Sequence, residues 1–153
     1  MQNLAFVGLG AMGAPMAQCL VSAGFDLGLF DVREENSRPL VDLGARGAAT
    51  PGEAARNAEA LFLMVVNAEQ TEAALFGENG AAETLAPGAA VVVMSTVGPE
   101  PVRGLDGRLS ERNLRLLDAP VSGGVARAGR GDLLIMAGGP GDLFAGVFWG
   151  RYG

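Results

Sequence analysis

Gly8-Leu9-Gly10-Ala11-Met12-Gly13 is the stretch of this 153-residue chain with the clearest chemistry. In a G-x-G-x-x-G loop the first glycine makes a tight turn and the second lets the backbone approach a pyrophosphate. The third lets a helix pack closely on a strand. The string alone is weak in a chain with 24 glycines. Its flanks make it specific. Leu4-Ala5-Phe6-Val7 has the pattern of a buried strand, and Ala14 to Ala23 reads as a helix closed by Gly24. The loop therefore opens a helix, whose first N–H groups and positive dipole end favour an anion. The companion feature is an acid about twenty residues on, at the end of the next strand. Asp31 fills that place after Phe25 to Phe30. A carboxylate there accepts hydrogen bonds from the ribose hydroxyls and repels a 2′-phosphate. The implied ligand is NAD. Arg33 leaves NADP open, because a guanidinium pairs well with phosphate. The expected contacts are Gly8, Leu9, Gly10, Ala11, Met12, Gly13, Asp31 and Val32.

A second loop, Asp118-Ala119-Pro120-Val121-Ser122-Gly123-Gly124, follows another apolar run. Ligands of open α/β sheets bind at the C-terminal ends of strands. The Ser122 hydroxyl and the Gly123-Gly124 backbone make a plausible carboxylate cradle. A structural turn before a short helix fits the same residues equally well.

Absences narrow the chemistry further. The chain has no His, and all eleven basic residues are Arg, so two common general acid/base side chains are missing. With no imidazole and a single cysteine, Cys19, no metal site is expected. Cys19 reads as a small hydrophobe on a helix. A net charge of −6 argues against a nucleic-acid partner. The apolar N-terminal region meets its first basic residue only at Arg33 and is broken by glycines, so neither a signal peptide nor a membrane span is expected. These features point to a soluble protein of the reduced cytoplasm.

The elements that must position these residues alternate between strand and helix. Glu34 to Leu43 reads as a helix with Pro39 awkwardly inside it. Thr50-Pro51-Gly52-Glu53 is a helix start, with an N-cap, a first-turn proline and an acid at the third position. Ala60 to Val66, Ala89 to Met94 and Leu114 to Leu117 are strands, and Asp132 to Ala137 is a last candidate. Ala68 to Phe76 and Pro99 to Glu111 are helices. The predicted class is α/β: a Rossmann-type, doubly wound and mainly parallel sheet, forming one dinucleotide-binding domain over residues 1–153. The aromatic, glycine-rich stretch from Asp142 onward shows no clear period beyond a possible helix start.

Two signatures resemble the β-hydroxyacid dehydrogenases, which include 3-hydroxyisobutyrate and 6-phosphogluconate dehydrogenases. One is Phe6-Val7-Gly8-Leu9-Gly10-Ala11-Met12-Gly13-Ala14-Pro15-Met16-Ala17, and the other is Asp118 to Gly124 continuing through Ala128 and Gly131. Val65-Val66-Asn67-Ala68 with Leu75-Phe76-Gly77 is most similar to the L-threonate type of that group. The resemblance implies hydride transfer between a nicotinamide cofactor and a small 3-hydroxyacid. It implies that Val66 and Asn67 flank the cofactor, that Thr96 lies near the nicotinamide ribose, and that Ser122, Gly123 and Gly124 hold the substrate carboxylate. It also implies a catalytic lysine and an all-helical C-terminal domain that forms a homo-oligomer, neither of which is found in these 153 residues. No catalytic residue is therefore expected in this chain, which alone should be inactive. A nucleotide-sensing module, or a reductase of imines or semialdehydes, is the alternative.

Overall fold

The computed structural model describes residues 2–145. Residues 146–153, the greater part of the tail, lie outside the described residues. The first half runs β1 (Asn3–Val7), α1 (Gly13–Ser22), β2 (Asp26–Phe30), α2 (Arg38–Asp42), β3 (Arg46–Gly47), α3 (Pro51–Ala54) and β4 (Ala60–Leu63). The second half runs α4 (Ala68–Phe76), β5 (Ala90–Val93), α5 (Pro99–Ser110), β6 (Arg115–Asp118), β7 (Val121–Ser122), α6 (Gly124–Gly129), β8 (Leu134–Ile135) and α7 (Gly141–Phe144).

Six strands form one sheet in the order β3-β2-β1-β4-β5-β6, and every pairing in it is parallel. The order reverses between β1 and β4, which opens a crevice at the strand ends there. Strand residues alternate between two cores, as a period of two requires. Ala5, Val7, Leu61, Leu63, Val91 and Val93 face α4 and α5 with Leu75, Leu105 and Leu109. Leu4, Phe6, Leu27, Leu29, Phe62 and Val92 face the other side with Ala17 and Leu40. This two-sided burial explains why the central strands read as continuous apolar runs.

Local chemistry sets the helix starts. The Thr50 hydroxyl accepts a hydrogen bond from the Glu53 N–H at 3.0 Å, and the Glu53 carboxylate accepts one from the Ala49 N–H at 2.8 Å. The Asn67 side chain caps α4 by accepting from the Gln70 N–H at 2.9 Å. Gly28 lets α3 lie directly on β2, since a Cβ there would sit 2.1 Å from the Ala54 carbonyl oxygen.

Three expectations are corrected. The helix expected over Glu34 to Leu43 is a 3-10 turn, Glu34–Asn36, followed by α2. Pro39 has no N–H to give the Glu35 carbonyl, so it fits only in the first turn of a new helix. The Asp132 to Ala137 candidate shortens to β8, which pairs antiparallel with β7 in a separate ribbon instead of joining the main sheet. Finally, the strand expected over Ala60 to Val66 ends at Leu63, and β3 adds a sheet edge for which no expectation was made. Among the described residues, no helix is long and apolar enough to cross a membrane.

Candidate functional site

The glycine loop joins β1 to α1 at the crevice. Gly8 has φ +97°, and a Cβ on it would fall 2.3 Å from the Met64 carbonyl oxygen of the neighbouring strand end. A Cβ on Gly13 would fall 1.8 Å from the Gly8 carbonyl oxygen and 3.3 Å from the Phe6 ring. Gly10 differs from both: nothing lies within 4 Å of its hypothetical Cβ. Two glycines thus serve close packing, and the third leaves open space over the loop. Leu9 is buried and anchors the loop from below.

The donors around that space divide into bonded and free. Gly8 donates to the Phe30 carbonyl at 3.1 Å, Leu9 to the Asp31 carboxylate at 2.7 Å and Ala14 to the Gly10 carbonyl at 3.1 Å. The N–H groups of Gly10, Ala11, Met12 and Gly13 meet no acceptor among the described residues. Met12 offers no side-chain cap, and the first turn of α1 carries no acid. Consecutive unpartnered N–H groups at the start of a ten-residue helix form an anion cradle.

Asp31 stands at the end of β2 beside this loop. Its Oδ1 accepts from the Arg33 N–H at 2.8 Å and the Asn36 side-chain amide at 3.1 Å, while Oδ2 takes the Leu9 N–H. A cleft of about 430 Å³ runs from Gly8 and Gly10 past Asp31 and Val32 to Val66 and Gln70. A larger groove of about 840 Å³, lined by Ser37, Arg38, Ala48 and Glu53, shares Asp31 but does not reach the glycine loop.

The remaining expected residues divide. Val32 and Val66, 89% and 79% exposed, line the cleft. Asn67 does not; its side-chain oxygen is taken as the α4 cap. Thr96 is exposed beyond β5, next to the buried Ser95, whose hydroxyl donates to the Val65 carbonyl and ties the β4 and β5 ends together. Gln70 was not expected. Its side-chain oxygen accepts from the Val66 N–H at 2.9 Å and so shapes the cleft wall. The Asn67-x-x-Gln70 spacing of a capping pair was the signal for it.

Ser122, Gly123 and Gly124 lie elsewhere, between β7 and α6. Ser122 is exposed, and Gly123 and Gly124 have φ +135° and +77°. A Cβ on Gly123 would crowd Arg127 at 3.0 Å. Burial pushes the Asp118 carboxyl above the usual carboxylate range, and its backbone pairs with Gly138. Cys19 is half-buried, with Sγ 3.5 Å from the Ala128 carbonyl, so it packs α1 against α6.

Residues 3–147 match the family model described as the NAD binding domain of 6-phosphogluconate dehydrogenase. The chain belongs to this NAD-binding family. It is 43% identical over 144 residues to L-threonate dehydrogenase of Cupriavidus necator, covering 94% of this chain and 48% of that protein. It is 42% identical over 139 residues to 3-sulfolactaldehyde reductase of Escherichia coli, covering 91% and 47%. The crystal structure of 3-hydroxyisobutyrate dehydrogenase from Salmonella typhimurium superposes with a TM-score of 0.86 at 34% identity, over 95% of this chain and 50% of that one. The chain spans about half the length of the curated relatives it matches.

The residues present fit the cofactor of the NAD-binding family. A pyrophosphate needs several convergent donors and room for close approach. The loop has four unpartnered N–H groups and an unobstructed Gly10. The adjoining cleft adds apolar walls in Val32 and Val66, with a fixed carboxylate between them.

Proposed function

We propose that this chain is the NAD-binding half of an oxidoreductase acting on a small 3-hydroxyacid. The row of free N–H groups from Gly10 to Gly13 carries this reading. In it, residues 8 to 13 hold the pyrophosphate, Asp31 takes the adenosine ribose, Val32 walls the adenosine end, and Val66 flanks the cofactor beyond it. Asn67 and Thr96 lie on the way to the nicotinamide, and Ser122, Gly123 and Gly124 hold the substrate carboxylate. The bound cofactor supplies a hydride acceptor or donor. The names of the relatives suggest L-threonate, 3-hydroxyisobutyrate or 3-sulfolactaldehyde as substrate class.

When a hydride leaves an alcohol carbon, the hydroxyl proton must leave too, and this needs a base. The chain has no Lys and no His. Asp118 is the acid nearest the Ser122 loop in sequence, but its place is a strand end, where its backbone pairs with Gly138. We therefore assign these 153 residues cofactor binding without turnover. Val125, Leu134 and Met136, each more than half exposed around the β7–β8 ribbon, support a further part of the reading. In it this face is covered in the full oligomeric enzyme, which works in the cytoplasm.

Calorimetric titration of the 153-residue polypeptide with NAD and NADP tests the first part. NAD is expected to bind, and more tightly than NADP. Failure to bind either cofactor overturns the reading. Turnover of L-threonate or 3-hydroxyisobutyrate by this polypeptide overturns the assignment of binding without catalysis.

A further inference from the structure

Asp31 has fewer acceptor positions to offer than its place suggests. A carboxylate has about four lone-pair sites, two on each oxygen. Oδ1 is filled by the Arg33 N–H at 2.8 Å and the Asn36 amide at 3.1 Å. Oδ2 is half filled by the Leu9 N–H at 2.7 Å. One position remains, on Oδ2, and Asp31 lines the cleft that begins at the glycine loop. A vicinal diol bound by both oxygens of a free carboxylate needs two positions. We propose that Asn36 is a positioning residue that closes Oδ1, so that Asp31 reads one of the two adenosine ribose hydroxyls through Oδ2 and leaves the other unread.

This rests on the reading of the cleft as an NAD site. The geometry supports Asn36 in particular. It ends the 3-10 turn Glu34–Asn36, whose backbone bond from the Asn36 N–H to the Arg33 carbonyl at 3.0 Å fixes its approach to Asp31. The Arg33 contact is a backbone one that no side-chain change removes. The Leu9 contact belongs to the glycine loop itself. Asn36 is the side chain whose removal frees an acceptor position without altering the pyrophosphate cradle.

The test uses wild-type protein and Asn36→Ala, titrated with NAD and with analogues lacking either the 2′- or the 3′-hydroxyl of the adenosine ribose. In wild type, one deoxy analogue is expected to bind within about twofold of NAD. The other is expected to bind about tenfold or more weakly, the size of a lost hydrogen bond to a charged acceptor. In Asn36→Ala, both analogues are expected to bind more weakly than NAD, because Oδ1 then reads the second hydroxyl. A purely structural role for Asn36 would weaken all three ligands alike and would overturn the proposal. Equal losses for both analogues in wild type, or no loss for either, would overturn it as well. In those cases NAD still binds wild type and the cofactor reading stands. If NAD itself does not bind wild type, the cofactor reading fails and this inference fails with it.

Discussion

Gly10→Ala and Gly13→Ala should separate binding from stability, although the two glycines lie in one loop. At Gly13 the added Cβ would sit 1.8 Å from the Gly8 carbonyl oxygen and 2.8 Å from its carbon. Both atoms are backbone, so no rotamer relieves the clash. Restoring an allowed contact moves α1 from β1 by about 1 Å, and both elements bury apolar side chains at that junction. The cost falls at the top of the range for overpacked cores, about 3 kcal/mol. For a chain of this size that lowers the thermal midpoint by about 6–12 °C. At Gly10 the added methyl meets nothing within 4 Å, and the residue lacks the positive φ that would strain it. Stability should therefore stay within about 0.5 kcal/mol of wild type. On the proposed reading the methyl enters the cleft that Gly10 lines, where the pyrophosphate would approach. Loss of even one charge-assisted hydrogen bond there weakens NAD about tenfold or more. Urea denaturation and calorimetric titration of both variants check the pair. Wild-type affinity in Gly10→Ala would show that the open glycine does not face the pyrophosphate. Unchanged stability in Gly13→Ala would show that the helix–strand contact is not as close as described.

Three further outcomes are expected. Thr50→Ala removes the cap of α3 and should cost about 1 kcal/mol by urea denaturation. Gly28→Ala places a Cβ 2.1 Å from the Ala54 carbonyl oxygen, so it should destabilise the fold through the α3–β2 contact by about 1–3 kcal/mol in the same assay. Asp118→Asn should remove a fall in stability with rising pH, so the variant gains on wild type as pH rises. Burial raises the folded-state pKa of Asp118, so the folded state holds its proton to higher pH and stability falls as pH rises through that interval. Asp142 works in the opposite sense: its hydrogen bond from Arg115 lowers its pKa, so its contribution is lost as pH falls. Because Asp142 is unchanged in Asp118→Asn, urea midpoints between about pH 4 and pH 7 isolate the Asp118 contribution.

The elements that were legible are those whose signals are local. The bounds of α4 are written in Asn67, which caps it, and Gly77, which follows its end. The glycine loop was legible because its roles depend on the absence of a Cβ, and a sequence records that directly. The β7–β8 ribbon was not legible, since two-residue strands are shorter than any period. Nor was the break before α2: a proline inside an apolar pattern marks an interruption, but not whether the chain kinks or restarts. Asn67 illustrates a different limit. Its type and place fit a cofactor contact, yet the helix start claims its side-chain oxygen. A sequence shows what a side chain can accept, and only the fold shows which donor takes it.

Asp31 shows the same limit with more consequence. Its spacing from the glycines marks it as a ribose acceptor, and that reading treats the two features as separate contacts to one ligand. In the fold they are joined: the Asp31 carboxylate holds the Leu9 N–H across 22 residues of sequence, at 2.7 Å. The bond is charge-assisted and part-buried, and it fixes the end of β2 against the turn that presents Gly10. On the proposed reading, choice of cofactor and shape of the pyrophosphate cradle are therefore not independent properties of this chain. A change at Asp31 that admits a 2′-phosphate also releases Leu9 and leaves its N–H in need of another acceptor. The same change at Val32, exposed and free of such bonds, leaves the cradle intact. On that reading, selectivity in this domain is physically easier to alter beside the carboxylate than at it.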